Sequence, residues 1–413
     1  MRGDVILPVT VGRGRTIQDG ASACPRTVGI WNRYVGIRMD PKSAGQNLAD
    51  IVTAVREVCP AVMNAWRAAV EGSMKHSRMA VSLLVSLGVG VGAWAQETKH
   101  RLLPSPGTVT WGYFEARTPP VLRVSPGDAV EIETLPAGGV EALEAAGLPQ
   151  NKMQPALLEV ERDGKAHGRL PHILTGPIWV EGAEPGDVLE VKILSVELVV
   201  PYAWNSFLPG RGLLPDEFPY AYARLVPLDL AQNVAKFSDG IELPLRPFFG
   251  VMGIAPPALT GRISSGPPWI HAGNMDNKEL VAGTTLYLPV HVKGALFSVG
   301  DGHAAQGDGE VCVTALETSL KGVFQLSVRK DLKLHWPRAE TPTHYMTMGF
   351  HENLEEAAKI ALGEMLDFLT SEKRLARSEA YILASDAVDF RITQLVDGKK
   401  GVHALLPKAI FVK

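Results

Sequence analysis

Short alternating strands separated by tight turns dominate the sequence from residue 121 onward and limit the folds open to it. In VLRVSPGDAVEIETL, apolar and polar residues alternate on both sides of Pro126-Gly127-Asp128. The stretch IWVEGAEPGDVLEVKILSVELVV repeats this arrangement around Glu184-Pro185-Gly186-Asp187. Alternation over short runs indicates half-buried strands, and proline-glycine pairs mark turns. Both stretches are predicted to form β-hairpins, and their likeness suggests two related β units.

The rest of the chain adds further strands and a small number of helices. Its 41 glycines and 30 prolines are spread out, as expected for many turns between short strands. The clearest helical period runs from Asn353, a suitable N-terminal cap, to about Lys373, and a second helix is predicted near Ser378 to Ala387. Additional strands are predicted at Thr284 to Val292, Val311 to Thr318 and Val323 to Lys330. We therefore expect a mainly β protein, with a β-sandwich-like core and a few α-helices.

Charge and cysteine content exclude some classes of function. The formal net charge is -3, so a basic nucleic-acid-binding surface is not indicated and no nucleic-acid partner is expected. The cysteines are Cys24, Cys59 and Cys312, and no CxxC pair or zinc-finger spacing is present. No linker in the sequence demands two independent domains, although 413 residues would allow them.

The segment from Met74 to Ala95, MKHSRMAVSLLVSLGVGVGAWA, has the three parts of a secretory signal peptide. A basic start precedes a short apolar run, and Ala93-Trp94-Ala95 fits an A-x-A cleavage site. We expect the mature protein to begin at Gln96, to be periplasmic or secreted, and to have no stable membrane association after signal removal. Residues 1–73 are interpreted as a non-native or disordered extension, with a genuine N-terminal module as the alternative. Residues 96–413 are the predicted catalytic domain.

Polar and glycine residues concentrate in two loops between His271 and Glu310. The first loop is HAGNMDN and the second is GDGHAAQGDGE. Glycine allows sharp bends and close approach to a ligand, whereas Asp and His bind divalent metals and transfer protons. The combination on consecutive loops of a β scaffold is what a hydrolytic metal site needs. Simple hairpin turns are the alternative, and a calcium loop is another, although the EF-hand spacing is absent.

Several long segments closely resemble those of the acetamidase/formamidase family. They are HILTGPIWVEGAEPGD, RISSGPPWIHAGNMDN, GNMDNKELVAGTTLYLPV, LFSVGDGHAAQGDGEVC and THYMTMGF, and the resemblance extends from about Thr108 to the C-terminus. It implies a β-rich fold, homo-oligomers and hydrolysis of short linear amides to a carboxylate and ammonia. It also implies dependence on a divalent metal, which we expect to be zinc, with calcium as the alternative.

The resemblance also indicates which residues form the site. Asp276 in GNMDN and His303 in GDGH are the first choices for metal binding and catalysis, and Glu310 on the same loop as His303 is a catalytic candidate. His172 in HILTGP and Glu133 in EIETL are further metal candidates. The family often has an acidic residue shortly after this last segment, where Leu135-Pro136-Ala137 stands here. His344 in THYMTMG is predicted to orient other side chains rather than to bind metal.

Other chemistries and one non-catalytic function remain open at this point. Amide hydrolysis needs an activated water, a stabilised oxyanion and an acid for the leaving nitrogen, which a metal and a carboxylate such as Glu310 can supply. One alternative nucleophile is Ser265, in the pair Ser264-Ser265. The thiol of Cys312 is another, although the apolar stretch VCVTAL predicts a strand in which Cys312 is buried. A periplasmic amide-binding protein without catalysis is the alternative function.

Overall fold

The computed structural model describes residues 100–163 and 172–412, which form a β protein with flanking helices. The predicted signal peptide at 74–95, the extension at 1–73 and the start of the mature chain at Gln96 lie outside the described residues. The strands are β1 His100–Leu102, β2 Val109–Trp111, β3 Tyr113–Phe114, β4 Leu122–Val124, β5 Ala129–Glu133, β6 Ile173–Val180, β7 Val188–Leu198, β8 Tyr202–Phe207, β9 Tyr222–Asp229, β10 Val234–Ser238, β11 Ile241–Pro244, β12 Phe248–Gly253, β13 Ile263–Ser264, β14 Ala272–Asn274, β15 Thr285–Pro289, β16 Ala295–His303, β17 Glu317–Thr318, β18 Leu320–Arg329, β19 Arg338–Glu340, β20 His344–His351, β21 Asp389–Gln394 and β22 Lys400–Pro407. The helices are α1 Gly139–Ala145, α2 Pro155–Asp163, α3 Leu354–Ser371 and α4 Arg377–Ala387, with 3-10 turns at Gln150–Lys152, Ala258–Thr260 and Lys408–Ile410.

Two large sheets pack against each other, which confirms the mainly β fold with a β-sandwich-like core. The nine-stranded sheet has the order β1-β5-β18-β7-β15-β19-β20-β22-β21. The eleven-stranded sheet follows β11-β10-β9-β8-β17-β16-β12-β14, with β6 paired to β16, β2 and β4. Phe324 of the first sheet contacts Phe249 and Phe297 of the second, at ring-centroid distances of 5.3 and 6.0 Å. All three side chains are fully buried, and each stabilises the fold by about 2 kcal/mol through lost water contact.

The two proline-glycine-aspartate turns connect different sheets, so the prediction that they close hairpins is wrong. β4 pairs with β6 in the eleven-stranded sheet, whereas β5 pairs with β1 and β18 in the nine-stranded sheet. The strands β6 and β7 divide in the same way. In both turns the aspartate carboxylate accepts the backbone N–H three residues earlier, from Ser125 to Asp128 and from Glu184 to Asp187, each at 3.0 Å. The likeness between the two units is therefore structural, but each turn is a corner of the sandwich.

Both predicted helices are present at the C-terminal end of the chain. The Asn353 side-chain oxygen accepts the backbone N–H groups of Glu355 and Glu356 at 2.8 and 3.2 Å, which starts α3 as expected for an N-cap. The apolar faces of α3 and α4 pack on β22 of the nine-stranded sheet. Among the described residues, no helix is both long and apolar enough to cross a membrane.

The helices α1 and α2 form a second layer at one end of the eleven-stranded sheet. They were not predicted from the sequence. Their apolar side chains, including Leu143 and Leu157, form a core with Trp111, Tyr202 and Trp204. Because Trp204 lies on β8, this contact holds α1 beside the strands that carry the candidate site.

Candidate metal centre and its cavity

Three neighbouring strands of the eleven-stranded sheet bring acidic side chains and a histidine together. β12 pairs with β14 on one side and with β16 on the other. Asp276 follows the end of β14, and Asp301 and His303 lie at the end of β16. These side chains are between 1 and 3% exposed, so the cluster is enclosed by protein.

Gly250 on β12 makes room for this cluster. A Cβ atom at residue 250 would lie 2.4 Å from Asp301 Oδ2, 2.5 Å from Asp276 Oδ1 and 2.8 Å from His303 Cε1. The Gly250 carbonyl also accepts the backbone N–H groups of Met275 and Asp276, at 3.0 and 3.2 Å. One glycine therefore both anchors the first loop and leaves space for the side chains of the site.

Several acidic residues of the site adopt left-handed backbone conformations. The φ angles are 49° at Asp276, 57° at Asp301 and 43° at Glu310. Non-glycine residues rarely adopt this region, and each such residue costs on the order of 1 kcal/mol. Strain that recurs at neighbouring acidic residues is typical of a functional site.

Gln306 determines which ring nitrogen of His303 carries a hydrogen. The Gln306 side chain donates its amide N–H to the Asp276 carbonyl at 2.8 Å, so its oxygen faces His303 Nδ1 at 2.9 Å. Nδ1 must therefore carry the hydrogen, which leaves Nε2 to bind a cation or a second proton. Nε2 lies 3.2 Å from Asp301 Oδ2 and 3.3 Å from Oε1 of Glu317, the residue directly opposite His303 on β17.

Two further carboxyl groups reach the cluster from loops. Glu310 lies on the loop between β16 and β17, and Asp397 lies on the turn between β21 and β22. These loops are joined because Gly309 donates its N–H to Thr393 O at 3.1 Å and accepts the N–H of Leu395 at 3.1 Å. The edge hairpin of the nine-stranded sheet thus supplies a carboxyl group to a site built on the other sheet.

Crowding of carboxyl groups shifts their pKa values. Burial raises the pKa of Asp276 and of Glu310 well above the ordinary range, and neighbouring carboxyl groups raise both further. Burial also raises the pKa of Glu317 and of Asp397 to about 7. So many buried carboxyl groups cannot all ionise without a compensating cation.

Charges and burial within the cluster also shift the pKa values of Asp301, His303 and His172. Burial raises the pKa of Asp301, but His303 and His172 outweigh this effect and hold that pKa below its ordinary range. Burial lowers the pKa of His303, but Glu317 and Asp301 outweigh it and raise that pKa well above 6.5. The pKa of His172 is lowered, mainly by burial, so this ring is neutral near pH 7.

The donor set fits a divalent metal. Ligand atoms within 4.8 Å of one another form overlapping groups, namely Asp276–Asp301–His303, His303–Glu310–Glu317 and Asp276–Glu310–Asp397. Among the described residues, neither carboxylate oxygen of Asp276 has a hydrogen-bond partner, nor does Glu317 Oε2 or Asp397 Oδ2. Buried carboxylate oxygens without partners, beside an imidazole nitrogen, are the ligands that divalent cations take in proteins.

His172 connects the cluster to Ser265. Its Nδ1 lies 3.0 Å from Ser265 Oγ, and its Nε2 lies 3.8 Å from Asp301 Oδ2. Ser265 is fully buried and does not line the cavity, whereas Ser264 and Gly266 do. Ser265 is therefore placed to orient His172 rather than to attack a substrate.

Known proteins resemble this chain in sequence and in fold. The sequence profile of the acetamidase/formamidase family matches residues 113–262 and 262–413. The chain belongs to the acetamidase/formamidase family.

Individual members of the acetamidase/formamidase family resemble the chain at moderate identity. A formamidase from Methylophilus methylotrophus is 29% identical over 191 residues, which cover 34% of this chain and 47% of that protein. The chain thus spans about half the length of this curated relative. Among solved structures, an acetamidase from Bacillus halodurans is 32% identical with a TM-score of 0.65, covering 75% of this chain and 98% of that one. A predicted acetamidase/formamidase from Thermoanaerobacter tengcongensis is 30% identical with a TM-score of 0.66, covering 75% and 96%.

Two of the segments that resemble the acetamidase/formamidase family, GNMDN and THYMTMGF, contact each other at the site. Met346 of THYMTMGF lies beneath the first loop, where its Sδ is 3.1 Å from the side-chain nitrogen of Asn277. Asn277 directly follows Asp276, so this contact supports the loop that carries Asp276. His344 of the same segment lies elsewhere, at the start of β20, with its Nδ1 2.9 Å from Thr343 Oγ1.

The structure brings together Asp276, His303 and Glu310 and places His172 beside them. Glu133 is not part of this cluster. It lies on β5 of the nine-stranded sheet, next to Ile132, which points into the core, so the Glu133 side chain points to the opposite face. Glu317 and Asp397 were not selected from the sequence, and Asp301 was considered only as part of the calcium-loop alternative.

The prediction that Val311 to Thr318 forms a buried strand is wrong. Only Glu317–Thr318 is a strand, and the preceding residues form turns that begin at Glu310, whose carbonyl accepts the Val313 N–H at 3.0 Å. Cys312 therefore lies on a half-buried turn at the cavity wall, with its Sγ 3.6 Å from the Asn205 side-chain nitrogen.

A cavity of about 790 Å³ opens onto the acidic cluster. Asp276, Asp301, Glu310, Glu317 and Asp397 line one part of it. Asn274 also lines it, and the Asn274 side-chain oxygen has no hydrogen-bond partner among the described residues. A substrate in this cavity would contact both candidate metal ligands and acid–base groups.

Proposed function

We propose that this protein hydrolyses the C–N bond of linear primary amides, releasing a carboxylate and ammonia, with a divalent metal bound by Asp276, Asp301 and His303. The observation that carries this proposal is the Asp276 carboxylate, which is buried, lines the cavity and has no protein hydrogen-bond partner among the described residues. Membership of the acetamidase/formamidase family supports the choice of reaction. Zinc is the proposed metal, because a histidine nitrogen and few carboxylates suit it, and calcium is the alternative.

The chain's own groups divide the work of amide hydrolysis. Asp276, Asp301 and His303 would hold the metal, which when bound would lower the pKa of a water molecule and polarise the amide carbonyl. Glu310 is placed to accept the proton of the attacking water and to return it to the departing nitrogen, because it lines the cavity within the same ligand cluster. The Asn274 oxygen is suited to accept an N–H of the amide. Asp301 orients His303 through their ion pair at 3.2 Å, and it lies 3.8 Å from the neutral ring of His172.

Metal removal and ammonia release test the proposal together. We expect purified protein that contains residues 96–413 to release ammonia from formamide, acetamide or longer primary amides, and to lose activity after chelation. Zinc and calcium are then added back to separate samples of the chelated protein. The metal that restores ammonia release is the one that the site uses. Binding of amides without turnover would instead support the amide-binding alternative, and turnover unaffected by complete metal removal would contradict the metal site.

We also propose that the protein is exported and that its copies associate. The segment at 74–95 supports export, since it has the order of a signal peptide. Expressed from Met74 in a Gram-negative host, the protein is expected in the periplasm with its N-terminus at or near Gln96, as determined by N-terminal sequencing. A full-length cytoplasmic product would contradict export. The family resemblance supports homo-oligomers, which sedimentation of the same sample measures.

A further inference from the structure

The cavity is much larger than the smallest amides require. Its volume of about 790 Å³ lies within the range of roughly 300–1,000 Å³ that is typical of sites for drug-sized ligands. Formamide and acetamide carry only a hydrogen or a methyl group on the carbonyl carbon. Either of them, bound at the acidic cluster, would leave most of this space to water.

Away from the acidic cluster, most of the cavity lining is apolar. It includes Ala142 and Ala145 of α1, Trp204 and Phe207 of β8 and Tyr222 of β9. Glu141 and Arg211 are the charged exceptions. Such surfaces favour an alkyl or aryl group over water, because contact with them removes apolar area from solvent.

The aromatic wall is a cluster of packed rings, part of which is exposed. Phe207 and Tyr222 are directly opposite each other on the paired strands, with their rings stacked at 5.7 Å. Phe207 also contacts Phe218 and Tyr220, at 5.2 and 5.3 Å. Tyr222 is 53% exposed, and an exposed aromatic surface that continues from a buried polar site is typical of a ligand-binding site.

We infer that the preferred substrates are primary amides with an extended apolar acyl group, alkyl or aryl, rather than formamide or acetamide. The inference rests on the proposed amide hydrolysis. The carboxamide lies at the acidic cluster, and the acyl group lies between α1 and the Phe207–Tyr222 pair. Because ammonia is the leaving group, the apolar group must be on the acyl side of the scissile bond.

A homologous series of amides tests the inference. From acetamide through butanamide to hexanamide, we expect kcat/KM for ammonia release to rise about threefold per methylene, and phenylacetamide to resemble hexanamide. A rate that is highest with formamide or acetamide and falls with chain length would overturn the inference but leave the proposed function intact. This result would also follow if a second copy of the chain covered the aromatic wall. Failure of every amide in the metal-loaded enzyme would contradict the proposed function itself.

Matched variants locate the acyl group within the cavity. Tyr222→Ala should lower kcat/KM for hexanamide about tenfold more than it lowers kcat/KM for acetamide. Tyr381→Ala is the control, because Tyr381 is similarly exposed but lies on α4 and does not line the cavity, so the ratio of the two rates should not change. Equal effects of Tyr222→Ala on both substrates would overturn the assignment.

A cavity-filling pair keeps the test independent of the aromatic wall. Ala142→Leu should shift preference toward acetamide by about tenfold, because the added methyl groups occupy the acyl region. Glu144→Leu adds a similar side chain on the exposed face of α1, outside the cavity lining, and should leave the preference unchanged. An unchanged preference in Ala142→Leu would contradict the inferred position.

Discussion

Replacing Asp276 by asparagine is expected to reduce kcat for amide hydrolysis by at least about 100-fold without unfolding the protein. Asparagine has nearly the same shape, but its amide is a poor metal ligand and lacks the negative charge. Both oxygens of the Asp276 carboxylate have no hydrogen-bond partner among the described residues, so the substitution breaks no hydrogen bond of the fold. The variant should therefore lose both bound metal and activity, as measured by metal analysis and ammonia release.

The thermal stability of this variant separates a catalytic role from a structural one. Burial raises the pKa of Asp276, and other carboxyl groups raise it further, so its charged form opposes folding when no metal is bound. In metal-free protein, Asp276→Asn should therefore melt at the same temperature as the parent or higher. A melting temperature lower by several degrees would show that Asp276 stabilises the fold.

Two variants complete the comparison for Asp276. Asp308→Asn is the control, because Asp308 lies near the cluster but is exposed and paired with Lys278 at 3.1 Å. It should keep near-normal activity, since exposed ion pairs contribute only about 0–1 kcal/mol. His303→Ala should lose activity as Asp276→Asn does. Near-normal turnover in both Asp276→Asn and His303→Ala would show that the metal site is assigned to the wrong residues.

The sequence reveals the parts of the site that lie close together along the chain. The loops around Asp276 and His303 combine glycine with metal-binding residue types, and this local pattern survives in the structure. Glu317 and Asp397 carry no such signal. Glu317 reaches the site because β17 pairs with β16 in a register that sets it opposite His303, and Asp397 does so because the β21–β22 turn contacts the loop of Glu310. Strand register and long-range contacts of this kind do not appear in local periodicity.

The wrong predictions also have a physical cause. A proline-glycine-aspartate turn forms the same local hydrogen bonds whether its two strands pair with each other or join different sheets. The turn chemistry therefore predicts a reversal of direction but not a partner. The stretch from Val311 is apolar enough for a strand, yet Val313 has a φ angle of 86° and Thr314 is hydrogen-bonded to Ser206 on β8. Tertiary contacts override strand propensity there.

Gly250 provides a test of the cluster that leaves every proposed ligand in place. Because residue 250 has no side chain, Asp276, Asp301 and His303 have room to come together. The Gly250 carbonyl also anchors the loop that carries Asp276. A methyl group at this position would lie closer than 3 Å to atoms of all three side chains. At least one of them must move away, because interiors packed this closely do not absorb an added carbon without displacement.

Gly250→Ala is therefore expected to lower metal affinity and to reduce kcat by at least about 100-fold, while costing about 1–3 kcal/mol in the free energy of unfolding. The loss of activity should exceed the loss of folded protein, as measured by metal analysis, circular dichroism and ammonia release on one sample. Gly363→Ala is the control, because Gly363 lies on α3 with no atom within 4 Å of an added Cβ, so this variant should keep full activity and equal or greater stability. If Gly250→Ala retained both metal and turnover, the three side chains could not converge on one ion beside Gly250. The site would then have to be centred on Glu310, which shares one ligand group with Glu317 and another with Asp397.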